Sequence, residues 1–230
     1  MYYCRCFLYC VSVFIFCLTL APACHGEDRI KLPAARVNGK MSVEAAIVAK
    51  KSVRTFSSAT LDAAQVSQML WAANGNLPQD TVAGATTKVI PSAGGLYALE
   101  VFLVTGNNTV AGIPAGMYRY DPQTNSLQLV AAGDNRNLLA YASLGQTFVA
   151  RAPAIVVIAG MFERSTVKYG PRGYQYTYME AGSANQNMYL QAESLGLRMA
   201  TVGAFDDAQV AGVLKLPANI KPLLVIPVGK

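Results

Sequence analysis

The segment from Lys50 to Phe56 concentrates side chains that could hold a phosphate. Lys50, Lys51 and Arg54 supply positive charge, and Ser52 supplies a hydroxyl in the same short span. A phosphate monoester is bound by charge neutralisation together with several hydrogen-bond donors, so this combination predicts a phosphate site. A basic helix end followed by a solvated loop is the alternative interpretation.

A second candidate is the small-residue stretch at 91–95, which runs into a predicted strand. Its sequence is PSAGG, and paired glycines with small neighbours allow a backbone to approach a flat ligand closely. A tight turn without a ligand is the alternative. The G-x-G-x-x-G spacing, the preceding strand and the following helix of a dinucleotide site are all missing, which excludes a Rossmann site here.

The distribution of cysteine and histidine removes several chemistries. All five cysteines and the single histidine lie at or before position 25. The rest of the chain therefore has no thiol nucleophile, no Ser–His dyad and no zinc site of the His/Cys type. No metal site is predicted, and chemistry must come from other side chains, backbone amides or a bound cofactor.

Residues 1–23 have the pattern of a secretory signal peptide. Arg5 is their only charge, and an apolar run from Phe7 to Leu20 precedes small residues. An uncleaved anchor is the alternative, but this run is shorter than the roughly 20 residues that span a bilayer. The pattern predicts an exported protein, periplasmic or secreted, with no membrane span after cleavage. Cys24 permits lipid attachment.

Charge and composition favour one domain with an anionic small-molecule ligand. Without Arg5, 18 basic and 13 acidic residues remain, and the basic ones are scattered. This distribution indicates a single anionic ligand and no nucleic-acid partner. The hydrophobic content of 53% is sufficient for a substantial core.

Hydrophobic periodicity and capping residues predict an α+β domain over residues 42–230, with a mixed sheet flanked by helices, preceded by an arm at 24–41. A loop is predicted at 77–91. The first helix is predicted to begin at Ser42, with Ile47 and Val48 facing inward and Lys50 and Lys51 in its last turn. Further helices are predicted after Asp62, after Asp134, at 161–169, at 180–197 and after Asp206. Strands are predicted at 99–104, 116–120, 126–130, 154–159 and 223–228.

Five ordered motifs resemble the FMN-dependent nitroreductase superfamily, and within it the SagB-type peptide dehydrogenases that oxidise thiazolines and oxazolines. The resemblance implies a three-layer nitroreductase-like fold and an intertwined homodimer with FMN at the subunit interface. The motifs are KKSVRTF at 50–56, PSAGGLYALEVFLV at 91–104, KYGPRGYQYTYMEAGSANQNMYLQAESLGL at 168–197, VGAFDD at 202–207 and PLLVIPVG at 222–229.

The resemblance implies which positions bind the cofactor. Lys50, Ser52 and Arg54 would hold the FMN phosphate, in agreement with the charge argument. Lys50 stands where arginine is common in the family, which keeps the charge but loses the bidentate fork. One edge of the isoalloxazine would be lined by four residues of the partner subunit's copy of the small-residue stretch, namely Pro91, Ser92, Ala93 and Gly94.

Further positions follow from the same resemblance. Gln146 would hydrogen-bond the pyrimidine edge of the flavin, and the backbone amides of Gly203 and Ala204 would approach its N5 atom. Lys168 and Tyr169 resemble a Lys–Tyr pair that transfers protons near the substrate. These two residues could equally be surface residues at a helix end.

Other polar and aromatic residues near this pair leave alternatives open. Glu180 could simply be an acid that caps a helix. The aromatic series could wall a substrate pocket beside the flavin or pack in the dimer interface. Its members are Tyr169, Tyr174, Tyr176 and Tyr178.

These expectations lead to a predicted function with two alternatives. The first is an FMN-dependent oxidoreductase that carries out two-electron ping-pong chemistry and dehydrogenates an organic or peptide-like substrate outside the cytoplasm. The second is an NAD(P)H-dependent nitro or quinone reductase whose true start lies nearer Met41. The third is a flavin-binding protein without turnover.

Overall fold

The computed structural model describes residues 29–82 and 85–230. The predicted signal peptide and Cys24 lie outside the described residues, and the predicted arm is described from Arg29 onward. Among the described residues, no helix combines the length and the apolar character that crossing a bilayer requires.

Seven of the strands make one sheet, and two others pair separately as a ribbon. The strands are β1 (Arg29–Lys31), β2 (Asn76–Val82), β3 (Ala85–Lys88), β4 (Leu99–Thr105), β5 (Gly116–Asp121), β6 (Ser126–Ala132), β7 (Ala154–Gly160), β8 (Arg198–Met199) and β9 (Lys221–Gly229). The order in the large sheet is β1-β6-β5-β4-β7-β9-β8. Its neighbouring strands pair antiparallel, and one parallel bridge between Ser52 and Met199 makes the sheet mixed.

Helices cover both faces of the large sheet. They are α1 (Val43–Ala49), α2 (Ala63–Asn74), α3 (Arg136–Ala142), α4 (Thr147–Arg151), α5 (Glu163–Tyr169), α6 (Arg172–Ser194) and α7 (Asp207–Val213). On one face, Met69 of α2 and Met188 of α6 belong to one buried cluster. On the other face, Leu139 of α3 and Val210 of α7 belong to a second. The predicted three-layer α+β architecture is therefore confirmed.

The centre of the sheet explains the apolar runs in the sequence. Every residue of β4 and of β7 is buried. A strand covered on both faces is mostly apolar, as AIVVIAG in β7 is, and β4 departs from this pattern only at Glu100 and Thr105. Burying each large aliphatic side chain contributes roughly 1.5–3 kcal/mol, so these two strands anchor the elements that carry the site.

Two predicted helix caps are confirmed. The Ala45 amide donates to Ser42 Oγ at 3.1 Å at the start of α1. The Gln209 amide donates to Asp206 Oδ1 at 2.8 Å at the start of α7. Side-chain oxygens satisfy otherwise unpaired helix amides at both positions.

The predicted end of the first helix is wrong. α1 ends at Ala49, and Lys50 has a ψ of 133°, so Lys50 and Lys51 follow the helix instead of forming its last turn. The chain leaves the helix because the segment after it pairs with Met199. Ile47 and Val48, predicted to face inward, are 50% and 87% exposed.

Three other predictions need correction. The loop predicted at 77–91 is largely replaced by β2 and β3, which pair antiparallel. Its threonines favour strands, but the segment lacks the alternation that identifies them. The longest helix, α6, begins at Arg172 instead of Glu180, directly after Pro171, a residue suited to helix starts. Asn135, one residue after the predicted cap, precedes α3.

Candidate functional site

The segment after α1 is held in an extended form at the edge of the sheet. Ser52 forms the parallel bridge to Met199, and the Val53 amide donates to the Met199 carbonyl at 2.9 Å. Both Ser52 and Lys50 contact Tyr189 of α6. The hydroxyls of Ser52 and Tyr189 are 2.8 Å apart, and Lys50 Nζ is 5.7 Å from the Tyr189 ring centroid.

In the part of the chain that the structure describes, the two cations assigned to the phosphate have no carboxylate partner. Within residues 29–82 and 85–230, neither Lys50 nor Arg54 forms an ion pair. The Arg54 guanidinium lies 5.8 Å from the Phe148 ring centroid and is exposed. The segment therefore presents two cations and a hydroxyl with no anion in place, which fits a phosphate group.

The structure brings Gln146 together with the loop that contains Gly203 and Ala204. Gln146 Nε2 donates to the Ser143 carbonyl at 2.9 Å and to the Ala204 carbonyl at 3.1 Å. Gly203 and Ala204 are exposed. Gln146 lies immediately before α4, which also carries Phe148, so this group adjoins Arg54.

A network of hydroxyl and amide groups behind the phosphate segment was not predicted. Thr201 Oγ1 donates to Asn185 Oδ1 at 2.7 Å and lies 3.3 Å from Tyr189 Oη. Asn185 and Tyr189 are four residues apart on α6 and therefore lie on one helix face. This i, i+4 polar pair in an otherwise packed helix was the available sequence signal.

The small-residue stretch is fixed by a buried carboxylate. Ser92 Oγ donates to Glu180 Oε1 at 2.5 Å, and the Ala98 amide donates to Glu180 Oε2 at 2.9 Å. The Tyr97 amide in turn donates to Ser92 Oγ at 2.8 Å. Glu180 is 2% exposed and lies inside α6, so it is not a capping acid. Burial raises the pKa of its carboxyl group, and the two hydrogen bonds oppose that rise.

The predicted Lys–Tyr pair packs against the same stretch. Gly94 has a φ of +63°, and a Cβ at this position would lie 2.6 Å from Tyr169 Oη and 3.0 Å from Lys168 Nζ. The Tyr169 ring makes an edge contact with Tyr176 at 5.1 Å between centroids. Glycine at position 94 therefore permits both the backbone conformation and the close approach. Pro91 and Ala93 belong to the same stretch.

One helix positions both groups of residues. Glu180 holds the small-residue stretch, and Tyr189 contacts the phosphate segment; both belong to α6. Nine residues of α-helix separate them by about 13 Å along the axis. The predicted cofactor residues thus form two groups linked by α6.

The fold and these two groups define an α+β domain in which α6 links a cationic segment to a stretch that packs against Lys168 and Tyr169. A family model, the nitroreductase family, matches residues 47–230. The chain therefore belongs to the nitroreductase family and is an oxidoreductase of that family. In the described part of the chain, no three or more His, Cys, Asp or Glu side chains are grouped as a metal site would require.

Relatives in sequence and structure agree with this assignment. The chain is 37% identical over 191 residues to a protein of Methanocaldococcus jannaschii assigned as a nitroreductase, covering 83% of this chain and 92% of that protein. It is 32% identical over 146 residues to the microcin B17-processing protein McbC of Escherichia coli, covering 62% and 54%. The crystal structure of a protein of Ralstonia eutropha assigned as a nitroreductase superposes with a TM-score of 0.74 at 29% identity, covering 88% and 89%.

Proposed function

We propose that the chain is an FMN-dependent oxidoreductase that dehydrogenates an organic or peptide-like substrate outside the cytoplasm as a homodimer. The main support is the segment around Ser52, where Lys50 and Arg54 form no ion pair with any described residue and Ser52 adds a hydroxyl. Members of the matched family typically bind flavin. A flavin with a single phosphate suits this one short cation cluster.

The residues present are compatible with FMN at three of the groups assigned to it. Lys50, Ser52 and Arg54 would hold the phosphate. Gln146 is oriented by two hydrogen bonds from Nε2, and its Oε1 would accept from the pyrimidine edge. The exposed backbone at Gly203 and Ala204 leaves room for the ring system.

When bound, the flavin would supply two-electron chemistry that this chain's own side chains lack. The chain would contribute the proton transfers. Lys168 Nζ and Tyr169 Oη converge at Gly94, so a substrate lying over the small-residue stretch is within reach of both. Ser92 and Glu180 keep that stretch in place.

The peptide-like substrate is supported by a relative and by an aromatic surface. McbC, whose name describes processing of microcin B17, matches 62% of this chain. Next to α5, Phe162 contacts Tyr174 and Tyr178 at centroid distances of 5.0 Å and 5.4 Å, and both tyrosines are at least half exposed. Such an aromatic surface suits an extended substrate with apolar side chains.

The homodimer is supported by apolar residues left on the surface of α1. Val43, Ile47 and Val48 are 61%, 50% and 87% exposed. Beside them, a groove of about 750 Å³ runs between residues 36–43, α2 and α6. Contiguous apolar surface of this kind marks protein interfaces.

Mutation of this surface tests the dimer. We expect Ile47→Asp combined with Val48→Asp to give a monomer in light scattering after gel filtration, because two buried charges would oppose the interface. Val167→Asp, at an equally exposed apolar position on α5, is the control and should leave the dimer intact. A double variant that stays dimeric would place the interface elsewhere.

The cofactor and the reaction can be tested together on the purified protein. We expect a yellow protein that releases a compound with the mass of FMN on denaturation. A colourless protein that ignores added FMN contradicts the proposal. An anaerobic titration with candidate donors then distinguishes an enzyme from a flavin-binding protein without turnover. In an enzyme, a suitable donor bleaches the flavin, whereas in a flavin-binding protein the flavin stays oxidised with every donor.

The second candidate function is an NAD(P)H-dependent nitro or quinone reductase. The match to the Methanocaldococcus jannaschii protein over 83% of the chain favours it. Bleaching of the flavin by NADH or NADPH would establish this function. Determining the N-terminus of the protein made in its own host tests export, since cleavage near residue 23 is expected for an exported protein.

A further inference from the structure

A polar cavity of about 460 Å³ lies at the end of the small-residue stretch. Leu96 and Tyr97, which follow that stretch, form part of its wall. Cations outnumber carboxylates in the lining. The charged lining residues are Arg29, Lys88, Arg119 and Arg164, against Glu100 and Asp121.

Both carboxylates of the cavity are already neutralised. Glu100 is 6% exposed; its Oε2 accepts from Arg119 Nε at 2.9 Å, and its Oε1 accepts from Arg164 Nη2 at 2.5 Å. Asp121 Oδ2 accepts from Arg29 Nη1 at 2.9 Å. Two guanidiniums share the single charge of Glu100, so this group alone carries one positive charge in excess.

Lys88 adds a cation that no carboxylate of the described residues contacts directly. Its Nζ donates to Asn74 Oδ1 at 3.1 Å and lies 5.2 Å from the Tyr97 ring centroid. Both partners are neutral, and within the described residues Lys88 forms no ion pair. Burial lowers the pKa of Lys88 to about 8, although the charge of Glu100 opposes this shift. The ammonium group therefore remains protonated at neutral pH in a poorly solvated position, where an anion would be bound strongly.

The cavity and the Lys–Tyr pair are joined by short, fixed elements. Tyr97 Oη accepts from the Lys88 amide at 3.0 Å, and the Tyr97 carbonyl accepts from Arg164 Nη1 at 3.0 Å. Arg164 and Lys168 both belong to α5, one helical turn or about 6 Å apart. A molecule of modest size could therefore occupy the cavity with one end and reach Lys168 with the other.

We propose that this cavity binds a carboxylate of the organic substrate, held by Lys88 with Arg119 and Arg164, while the reacting part of the same molecule lies at Lys168 and Tyr169. The proposal rests on the proposed function, because it assigns part of the substrate to the same site. It narrows the substrate class to organic or peptide-like acids.

The test compares two probes that differ in one charge. N-benzoylglycine and its amide are titrated by calorimetry into the FMN-loaded protein and into protein without FMN. We expect the acid to bind at least about tenfold more tightly than the amide, since charge-assisted hydrogen bonds to a carboxylate contribute most of the difference. Lys88→Met should abolish this preference. Lys215→Met removes an exposed lysine at the end of α7 and should retain it.

Other results would overturn the proposal. Equal affinity for acid and amide, no measurable binding of the acid, or a preference that persists in Lys88→Met each contradict it. Lys88→Gln, which keeps a hydrogen-bonding group facing Asn74, gives the same test if the methionine variant is poorly folded. If the protein takes up no FMN but shows a preference for the acid that depends on Lys88, the cavity binds carboxylates and the proposed function is wrong. If the protein binds FMN but shows no preference for the acid, the proposed function stands and the carboxylate site is wrong.

Discussion

Glu180 and Tyr189 lie on the same helix in opposite electrostatic situations. Around Glu180, both carboxylate oxygens are used, by Ser92 and by the Ala98 amide, and the residue is 2% exposed. The Tyr189 hydroxyl contacts the hydroxyls of Ser52 and Thr201. The nearby Lys50 has no counter-ion among the described residues. The polar groups of the first region are paired within the protein, whereas the cations of the second have no ion pair among the described residues and remain available to a ligand. The comparison indicates that the small-residue stretch is held in place by the protein itself, whereas the segment around Ser52 is open to a ligand.

The largest expected effect tests catalysis beside the small-residue stretch. Lys168→Ala should slow turnover about 10²-fold or more, because a positioned proton-transfer group contributes that much. The yellow colour should remain, since Lys168 is not assigned to the cofactor. Stopped-flow absorbance, with the donor identified by anaerobic titration, measures both the rate of turnover and the amount of bound flavin. Glu163→Ala, at the exposed start of α5, is the control. Loss of colour in Lys168→Ala would instead assign Lys168 to cofactor binding.

The next effect tests the segment around Ser52. Ser52→Ala combined with Arg54→Ala should raise the Kd for FMN about 10²-fold or more, because each lost charge-assisted bond to the phosphate contributes roughly 1.5–3 kcal/mol. Titration of flavin fluorescence measures this. Lys51→Ala removes a charge from the same segment without an assigned contact and should have a much smaller effect. Full flavin occupancy in the double variant would refute the phosphate assignment.

A stability measurement tests whether the small-residue stretch is held in place by the protein itself. Glu180→Ala should lower the free energy of unfolding by about 3 kcal/mol, because the buried Ala98 amide loses its acceptor. The loss should be the same with and without FMN in urea denaturation. Glu180→Gln keeps an acceptor and should lose less. A loss that appears only in the FMN-loaded protein would mean that the stretch also depends on the ligand.

The smallest expected effect concerns the pH dependence of stability at Lys88. Burial lowers its pKa from 10.5 to about 8 in the folded protein, with Glu100, Arg164, Glu180 and Asp121 also acting on it. Between pH 8 and 10.5 the unfolded chain therefore binds more protons, so the free energy of unfolding rises with pH across this window, by about 2 kcal/mol.

The difference in stability between wild type and Lys88→Met isolates the contribution of Lys88 from that of all other groups. The wild type should gain stability relative to the variant as pH rises from 8 to 10.5. Lys215→Met should follow the wild type. Parallel curves for wild type and Lys88→Met would show that Lys88 is solvated like a surface lysine.

The elements that were predicted correctly depend on interactions between residues close together in the sequence. The run AIVVIAG in β7 is apolar because both faces are covered, and the caps at Ser42 and Asp206 bond amides only three residues away. The errors have distant causes. α1 ends at Ala49 because its continuation pairs with Met199, and no local pattern reveals a partner so far along the chain.

In the candidate site, too, local motifs were predictable, whereas contacts between distant residues were not. Contiguous motifs predicted the segment around Ser52, the stretch around Gly94 and the Lys168–Tyr169 pair, and the structure brings the last two together. The bond between Ser52 and Tyr189 joins residues 137 positions apart, and the bond between Ser92 and Glu180 spans 88. Their roles became visible only in three dimensions, as did the excess charge of the cavity at Lys88.

The parallel bridge between Ser52 and Met199 has a consequence for solubility. β8 is only two residues long, so the segment around Ser52 shields the outer backbone of the sheet on that side. Unpaired strand backbone is a template for intermolecular association. If the proposed FMN binds the segment around Ser52, its removal would leave that shield held by fewer contacts, and we expect the chain without FMN to aggregate more readily.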